Sequence, residues 1–278
     1  MRIAIPRETH PGENRIPIIP ADAKKLVRLG ADLVVEAGMG AGAGFTDEEY
    51  SEAGATVSSD RDALFAEADV LLRLRKPQLE DIGKMKRGAV HISYLDPFNE
   101  HGLVNAFKEA GVTAISMEMI PRTTRSQKMD ALSSQANLAG YVMVMQAATH
   151  LPRIFPMMMT PAGTLKPANV FVIGAGVAGL QAIATAKRLG AKVTAFDTRP
   201  VVAEQVQSLG AKFLEIDLGE TGETAGGYAK ELTPEQVEKQ RQAQKDVIAK
   251  SDVVITTAQV FGRKPPVLVT KDMIEGMA

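Results

Sequence analysis

The 278-residue sequence predicts an α/β protein with two doubly wound parallel sheets. Short apolar runs alternate with amphipathic segments over residues 1–118, and the same alternation resumes at Asn169. Strand–helix–strand alternation with short connections is typical of parallel strands joined by right-handed crossovers. The length also fits two domains of roughly 100–150 residues. We therefore expect an N-terminal α/β domain over 1–120, a loop and connecting helix over 121–155, and a second domain over 156–278.

The predicted elements follow this alternation in order. In the first domain the strands are 2–5, 32–36, 55–57, 70–74, 89–94 and 113–117, and the helices are 21–29, 47–53, 61–68 and 100–110. A polar loop over 121–129 and a connecting helix over 131–150 follow. In the second domain the strands are 170–173, 192–196, 212–216 and 252–256, and the helices are 177–189, 202–208 and 234–250. A sheet of this type usually has further strands, so we expect the C-terminal part of the fold to be absent from this sequence.

Composition excludes several classes of function. The 32 basic and 33 acidic residues form no basic block, which gives no reason to expect a nucleic-acid surface. The chain has no cysteine, which excludes disulfides, thiolate metal sites and a cysteine nucleophile. We predict no metal site. No run of 18 apolar residues and no signal peptide occur, so we expect a cytoplasmic chain whose membrane role, if it has one, depends on a partner.

One motif carries the chemistry. The segment 174–179 is Gly-Ala-Gly-Val-Ala-Gly, a G-x-G-x-x-G that follows an apolar strand and opens an amphipathic helix. Gly174 would permit the tight turn, Gly176 would let a pyrophosphate approach the backbone, and Gly179 would let helix and strand pack closely. The helix N-terminus would face the phosphates. The motif therefore predicts a Rossmann dinucleotide site, and the alternative is a glycine-rich turn in an ordinary α/β domain.

An acidic residue ends the next predicted strand. Asp197 lies 18 residues after Gly179, the place at which such folds keep a carboxylate for the adenosine ribose. A carboxylate accepts both ribose hydroxyls and repels a 2′-phosphate, which favours NAD over NADP. Arg199, two residues further on, is a cation that weighs against this preference for NAD over NADP.

With these residues the chain resembles a known family. The whole chain resembles the NAD(H)-binding domain of proton-translocating nicotinamide nucleotide transhydrogenase, a family related to alanine dehydrogenase. The most specific stretches are 122–135, 155–164, 174–190 and 223–231. The resemblance implies hydride transfer between NADH on this chain and NADP⁺ on a partner domain, with membrane subunits that translocate protons. It also implies a homodimer held peripherally at the inner membrane.

The resemblance further implies individual site residues. Arg122, Gln127, Asp130 and Ser133 match the loop at the nicotinamide end of NAD, and Tyr228 matches a mobile loop that closes over the nucleotide. For the loop, the alternative is an interdomain hinge with a capped helix. For the segment around Tyr228, the alternative is a disordered insertion. The residues expected to contact NAD(H) are Gly174, Gly176, Val177, Ala178, Gly179, Asp197, Thr198, Arg199, Tyr228, Thr257 and Ala258.

Three functions compete at this point: a transhydrogenase component, an amino-acid dehydrogenase of the alanine type, and a non-catalytic nucleotide-binding module. Alanine dehydrogenases place a Lys and a His where this chain has Arg75 and Asp96. Arg cannot exchange protons at neutral pH, whereas reductive amination needs a general acid and base. Hydride transfer between two nicotinamides needs neither, so the transhydrogenase function is preferred.

Overall fold

The computed structural model describes residues 1–219, 221–222, 232–257, 262, 265 and 267–277. The chain divides into two compact units, Met1–Asp130 and Ala131–Ala278. The boundary falls within the segment 121–155 that the sequence analysis separates from both domains.

The first unit is built on a six-stranded parallel sheet in the order β3-β2-β1-β4-β5-β6. Its strands are β1 Arg2–Ile5, β2 Asp32–Glu36, β3 Thr56–Ser58, β4 Val70–Leu72, β5 Val90–Ser93 and β6 Thr113–Ser116. Its helices are α1 Pro20–Arg28, α2 Asp47–Glu52, α3 Arg61–Glu67, α4 Leu79–Lys84 and α5 His101–Ala110. The predicted fold class is confirmed for this unit.

Helices cover both faces of this sheet because successive strand residues point to opposite sides. Ala4 of β1 packs in one apolar cluster with residues of α3, α4 and α5, including Phe65 and Phe107. Its neighbours Ile3 and Ile5 pack in another cluster with residues of α1 and α2.

The second unit contains a parallel sheet in the order β11-β10-β9-β12. Its strands are β9 Asn169–Ile173, β10 Lys192–Phe196, β11 Lys212–Phe213 and β12 Val253–Thr256, preceded by a separate antiparallel hairpin of β7 Met158–Thr160 and β8 Gly163–Leu165. Its helices are α6 Ala131–His150, α7 Val177–Arg188, α8 Ala203–Ser208, α9 Pro234–Ile248 and α10 Lys271–Glu275. From β9 the chain builds β10 and β11 on one side and then crosses to β12 on the other. This reversal is the topological switch point at which such sheets bind ligands.

The predicted elements differ from the structure mainly in four places. Helix α4 and the β7–β8 hairpin were not predicted, because six- and three-residue elements show too little periodicity to be recognised. Strand β11 ends at Phe213 rather than at residue 216, because only two residue pairs join this edge strand to β10. The segment 121–129, predicted as a loop, contains a 3₁₀ helix over Thr124–Met129. Helix α6 has the predicted bounds and packs against α7.

Candidate dinucleotide site

The glycine-rich turn joins β9 to α7. Gly174 has φ of +99°, a conformation that disfavours any residue with a side chain, and its N–H donates to the carbonyl of Phe196 at 2.7 Å. The backbone therefore turns sharply at the end of β9 while staying bonded to the end of β10.

Gly179 brings the first turn of α7 against the strand. A Cβ added at this position would lie 1.8 Å from the carbonyl oxygen of Gly174, which no side chain can accommodate. Thr257, which follows β12, braces the same carbonyl because its Oγ1 donates to the Gly174 oxygen at 3.0 Å. Helix, turn and the end of β12 are thus held together at one point.

Gly176 differs from Gly174 and Gly179, because nothing in the described chain requires a glycine at position 176. It is the N-cap of α7 with φ −79° and ψ −165°, and a Cβ added to it would meet no atom of the described residues within 4 Å. Gly176 and Val177 are exposed, Ala178 is half-buried, and the first turn of α7 carries no acidic residue. The first N–H groups of a helix have no acceptor within it, so this open surface can accept an anion against bare backbone.

Asp197 ends the β10 side of the turn with a side chain only 7% exposed. Its Oδ2 accepts the N–H of Ala175 at 2.7 Å and its Oδ1 accepts the backbone N–H of Arg199 at 2.9 Å. The Arg199 guanidinium also bridges both oxygens, Nε to Oδ1 at 3.0 Å and Nη2 to Oδ2 at 3.0 Å. Thr198 lies half-buried between the two residues. The bond to Ala175 could not be predicted from the sequence, because a backbone N–H has no signature in residue type.

Most of the expected cofactor-contacting residues gather around this turn. Gly174, Gly176, Val177, Ala178 and Gly179 form the turn and the first turn of α7, while Asp197 and Thr257 are bonded to it. Tyr228 and Ala258 lie outside the described residues. Contact with a nucleotide stays a prediction for the whole set.

The loop assigned to the nicotinamide end spans the boundary between the units. Within the first unit, Arg122 Nε lies 3.5 Å from Asp130 Oδ2, so the flanks of the 3₁₀ helix form an ion pair. Gln127 is exposed on that helix. Ser133 belongs to the second unit, in the first turn of α6, and is half-buried. The functional roles of these four residues stay predictions.

The two positions that distinguish the dehydrogenase alternative carry no proton-transfer pair. Arg75 Nε binds Glu13 Oε2 at 2.9 Å, and Arg15 binds both oxygens of the same carboxylate at 2.8 and 2.7 Å. The hydrogen bonds from Arg15 lower the pKa of Glu13 to about 2, so this cluster stays charged. Asp96 is exposed with φ of +52°.

His91, five residues before Asp96, is a core residue. It is fully buried in β5, its Nε2 lies 3.0 Å from Ser93 Oγ, and its ring lies 5.1 Å from that of Phe107. Burial, assisted by the charge of Arg73, lowers the pKa of His91 to about 3. A histidine held neutral in the core cannot exchange protons with a substrate at neutral pH.

Two negative findings apply to the described part of the chain. No group of three or more His, Asp or Glu residues there could hold a metal ion. No helix there is long and apolar enough to cross a membrane.

Two doubly wound parallel units, the second with a glycine-rich turn and an acid at the end of the adjacent strand, define a Rossmann-type α/β protein. The N-terminal and C-terminal domain models of the alanine dehydrogenase/PNT family match residues 4–139 and 143–278. The chain therefore belongs to this family, and the resemblance stated from the sequence is confirmed.

Relatives on both sides of the family are known. The chain is 47% identical to the first part of the NAD(P) transhydrogenase alpha subunit of Rhodospirillum rubrum, covering all of this chain and 74% of that protein. It is 29% identical to the alanine dehydrogenase of Mycobacterium tuberculosis, covering all of this chain and 70% of that protein. The crystal structure of the transhydrogenase from Sinorhizobium meliloti superposes with a TM-score of 0.88 at 45% identity, covering all of this chain and 76% of that one. By enzyme class the chain is of the transhydrogenase alpha type.

Proposed function

We propose that this chain is the NAD(H)-binding component of a transhydrogenase and passes hydride between NADH and NADP⁺ held by a partner domain. The observation that carries the proposal is the turn at 174–179 with Asp197 bonded to its Ala175 N–H. This arrangement supports a dinucleotide because it puts free helix N–H groups and a ribose-binding carboxylate on one turn.

The residues of the second unit take separate tasks in this proposal. The backbone of Gly176, Val177 and Ala178 binds the pyrophosphate, and the open space around Gly176 is what close backbone approach requires. Asp197 binds the adenosine ribose, with Thr198 and Arg199 beside it. Thr257, which follows β12, and Ala258 contact the nucleotide in this proposal, and Tyr228 closes over it.

The reaction requires that the two nicotinamide rings be positioned correctly, and it requires no proton transfer. Bound NADH supplies the hydride, and the protein must hold the two nicotinamide rings at roughly 3–3.5 Å and exclude water. Arg122, Gln127, Asp130 and Ser133 are proposed to act at the nicotinamide end. The ion pair of Arg122 with Asp130 supports this role because it holds the flanks of the Gln127 helix together.

The alanine dehydrogenase function is less supported. Arg75 is engaged by Glu13, and His91 is buried with a pKa of about 3. With pyruvate, ammonia and NADH we therefore expect no alanine, and measurable alanine formation would restore that alternative.

The partners follow from the same proposal. An NADP(H)-binding domain receives the hydride, and transmembrane subunits couple the transfer to proton translocation and hold the chain at the cytoplasmic side of the inner membrane. The relatives are named as alpha subunits, which supports an assembly of several subunits.

A second copy of this chain is also a proposed partner. Helix α6 exposes Leu138, Tyr141 and Val142, and the β7–β8 hairpin exposes Met158 and Met159. A two-stranded hairpin is marginal by itself, so a covering surface would stabilise it. Light scattering should give a dimer, and Leu138→Glu should shift it towards monomer. A wild-type monomer at high concentration would reject this aspect of the proposal.

Nucleotide binding tests the proposal. Calorimetry on the whole chain should show NADH binding at least about tenfold more tightly than NADPH, a difference of about 1.4 kcal/mol. Asp197→Ala should reduce the difference in affinity between NADH and NADPH, mainly by weakening the binding of NADH. Asp62→Ala, at an exposed position on α3, should leave that difference unchanged. Equal affinities in the wild type, or an unaltered difference in Asp197→Ala, would contradict the assignment.

A further inference from the structure

The carboxylate of Asp197 is already saturated with hydrogen bonds in the free chain. It accepts two from backbone N–H groups, those of Ala175 and Arg199, and two from the Arg199 guanidinium. A carboxylate offers about four acceptor positions in all. A ribose with two hydroxyl donors therefore cannot be added without displacing two existing donors.

The two kinds of donor differ in how easily they leave. The N–H of Ala175 belongs to the tight turn and that of Arg199 to the backbone directly after Asp197, so the fold holds both in place. The guanidinium is at the end of a flexible side chain, 12% exposed as a whole, so rotation of that side chain can release its bonds without moving the backbone. Its two bonds are the exchangeable ones.

We propose that Arg199 is a specificity-determining residue that caps Asp197 before nucleotide binds and is exchanged for the two ribose hydroxyls. This inference rests on the proposed function. The cap lowers the apparent affinity for NADH, because only the uncapped fraction of molecules can bind. The displaced cation remains tethered two residues from Asp197, beside the position that a 2′-phosphate would occupy. Arg199 therefore reduces discrimination against NADPH below what Asp197 alone would give.

Removing the guanidinium separates these two effects. Arg199→Gln leaves both backbone bonds to Asp197 intact, so we expect the dissociation constant for NADH to fall about threefold or more. The dissociation constant for NADPH should rise, because the phosphate loses its cation. Loss of structure alone would weaken the binding of both nucleotides, so tighter NADH binding cannot come from a damaged fold.

Arg199→Lys tests whether the cap depends on the planar fork or only on charge. A lysine keeps the charge but cannot bridge both oxygens in the bidentate manner of a guanidinium. We expect NADH to bind more tightly than in the wild type while NADPH affinity is retained. Wild-type affinity for both nucleotides in Arg199→Lys would overturn the requirement for a bidentate cap, because the charge alone would then suffice.

Calorimetry with NADH and NADPH on the full chain decides the matter. Arg188→Gln is the matched control, because this exposed arginine ends α7, roughly 17 Å along the helix from Gly176. It should change neither constant. If the wild type binds NADH and Arg199→Gln binds it equally or more weakly, the inference is wrong while the proposed function stands. If the wild type binds neither nucleotide, the proposed function fails.

Discussion

Gly140 in α6 lies directly against the carbonyl group of Ala178 in the first turn of α7. A Cβ added to Gly140 would be 2.2 Å from that oxygen and 3.0 Å from the Cβ of Gln181. Helix α6 therefore approaches the backbone of the candidate pyrophosphate-binding turn so closely that no side chain fits at position 140. This contact, together with Gly179 on the strand side, holds the first turn of α7 from two directions.

Gly140→Ala should destabilise the chain by about 1–3 kcal/mol, because the methyl group meets backbone that cannot move aside. Urea unfolding measures the effect. Gly102→Ala, in α5 where a new Cβ meets nothing within 4 Å, should be neutral or stabilising by up to about 1 kcal/mol. Similar losses in both variants would show that the contact with Ala178 is not what requires the glycine.

Gly176→Ala should separate folding from binding. Its φ of −79° suits alanine and its surroundings are open, so the free energy of unfolding should change by less than about 0.5 kcal/mol. NADH affinity should nevertheless fall by about tenfold or more, because the methyl group occupies the space proposed for the pyrophosphate. Gly179→Ala should lose stability instead. Unchanged NADH affinity in Gly176→Ala would place the phosphates elsewhere.

His91 should make the chain acid-sensitive. Its pKa is lowered from 6.5 to about 3 in the folded chain, so between these values the unfolded chain binds a proton that the folded chain does not. Stability should therefore fall as pH decreases from 6.5 towards 3, by about 1.4 kcal/mol per pH unit from this group. His91→Gln should lack this contribution, and His101→Gln, at an exposed position, should keep it. Parallel stability curves for wild type and His91→Gln would contradict the prediction.

Gln127→Asn should slow hydride transfer while leaving NADH affinity nearly unchanged. Shortening the side chain by one methylene would alter the relation of the rings, on which the rate depends steeply, without removing a main binding contact. Single-turnover transfer and calorimetry measure the two quantities. Gln207→Asn, exposed on α8, serves as the control. A wild-type rate in Gln127→Asn would remove this side chain from the reaction.

The elements that could be predicted are those with long, clear patterns. Helix α6 has the predicted bounds because its twenty residues contain no Gly or Pro cluster that would interrupt it. Strand β10 also has the predicted bounds, because its five residues lie between a glycine turn and Asp197. Helix α4 could not be predicted, since six residues, three of them charged, are too few to show a helical period.

The site could be predicted in residue type but not in its bonding. The glycines and Asp197 follow from a motif whose spacing reflects local geometry. The Arg199 cap, the bond from Ala175 and the approach of Gly140 depend on distances between segments. No pattern within one segment encodes those distances, so they required the structure.

Isotope transfer in a reconstituted mixture tests whether this chain passes hydride from bound NADH to NADP⁺ on a partner domain. The full chain is mixed with NADH that carries deuterium at both C4 positions, an NADP-binding transhydrogenase domain and NADP⁺, and NADPH is examined by mass spectrometry. Deuterium should appear in NADPH only when both proteins are present, because hydride passes between bound nicotinamides without exchange with water. Unlabelled NADPH, or no NADPH although calorimetry shows that both nucleotides are bound, would contradict this expectation.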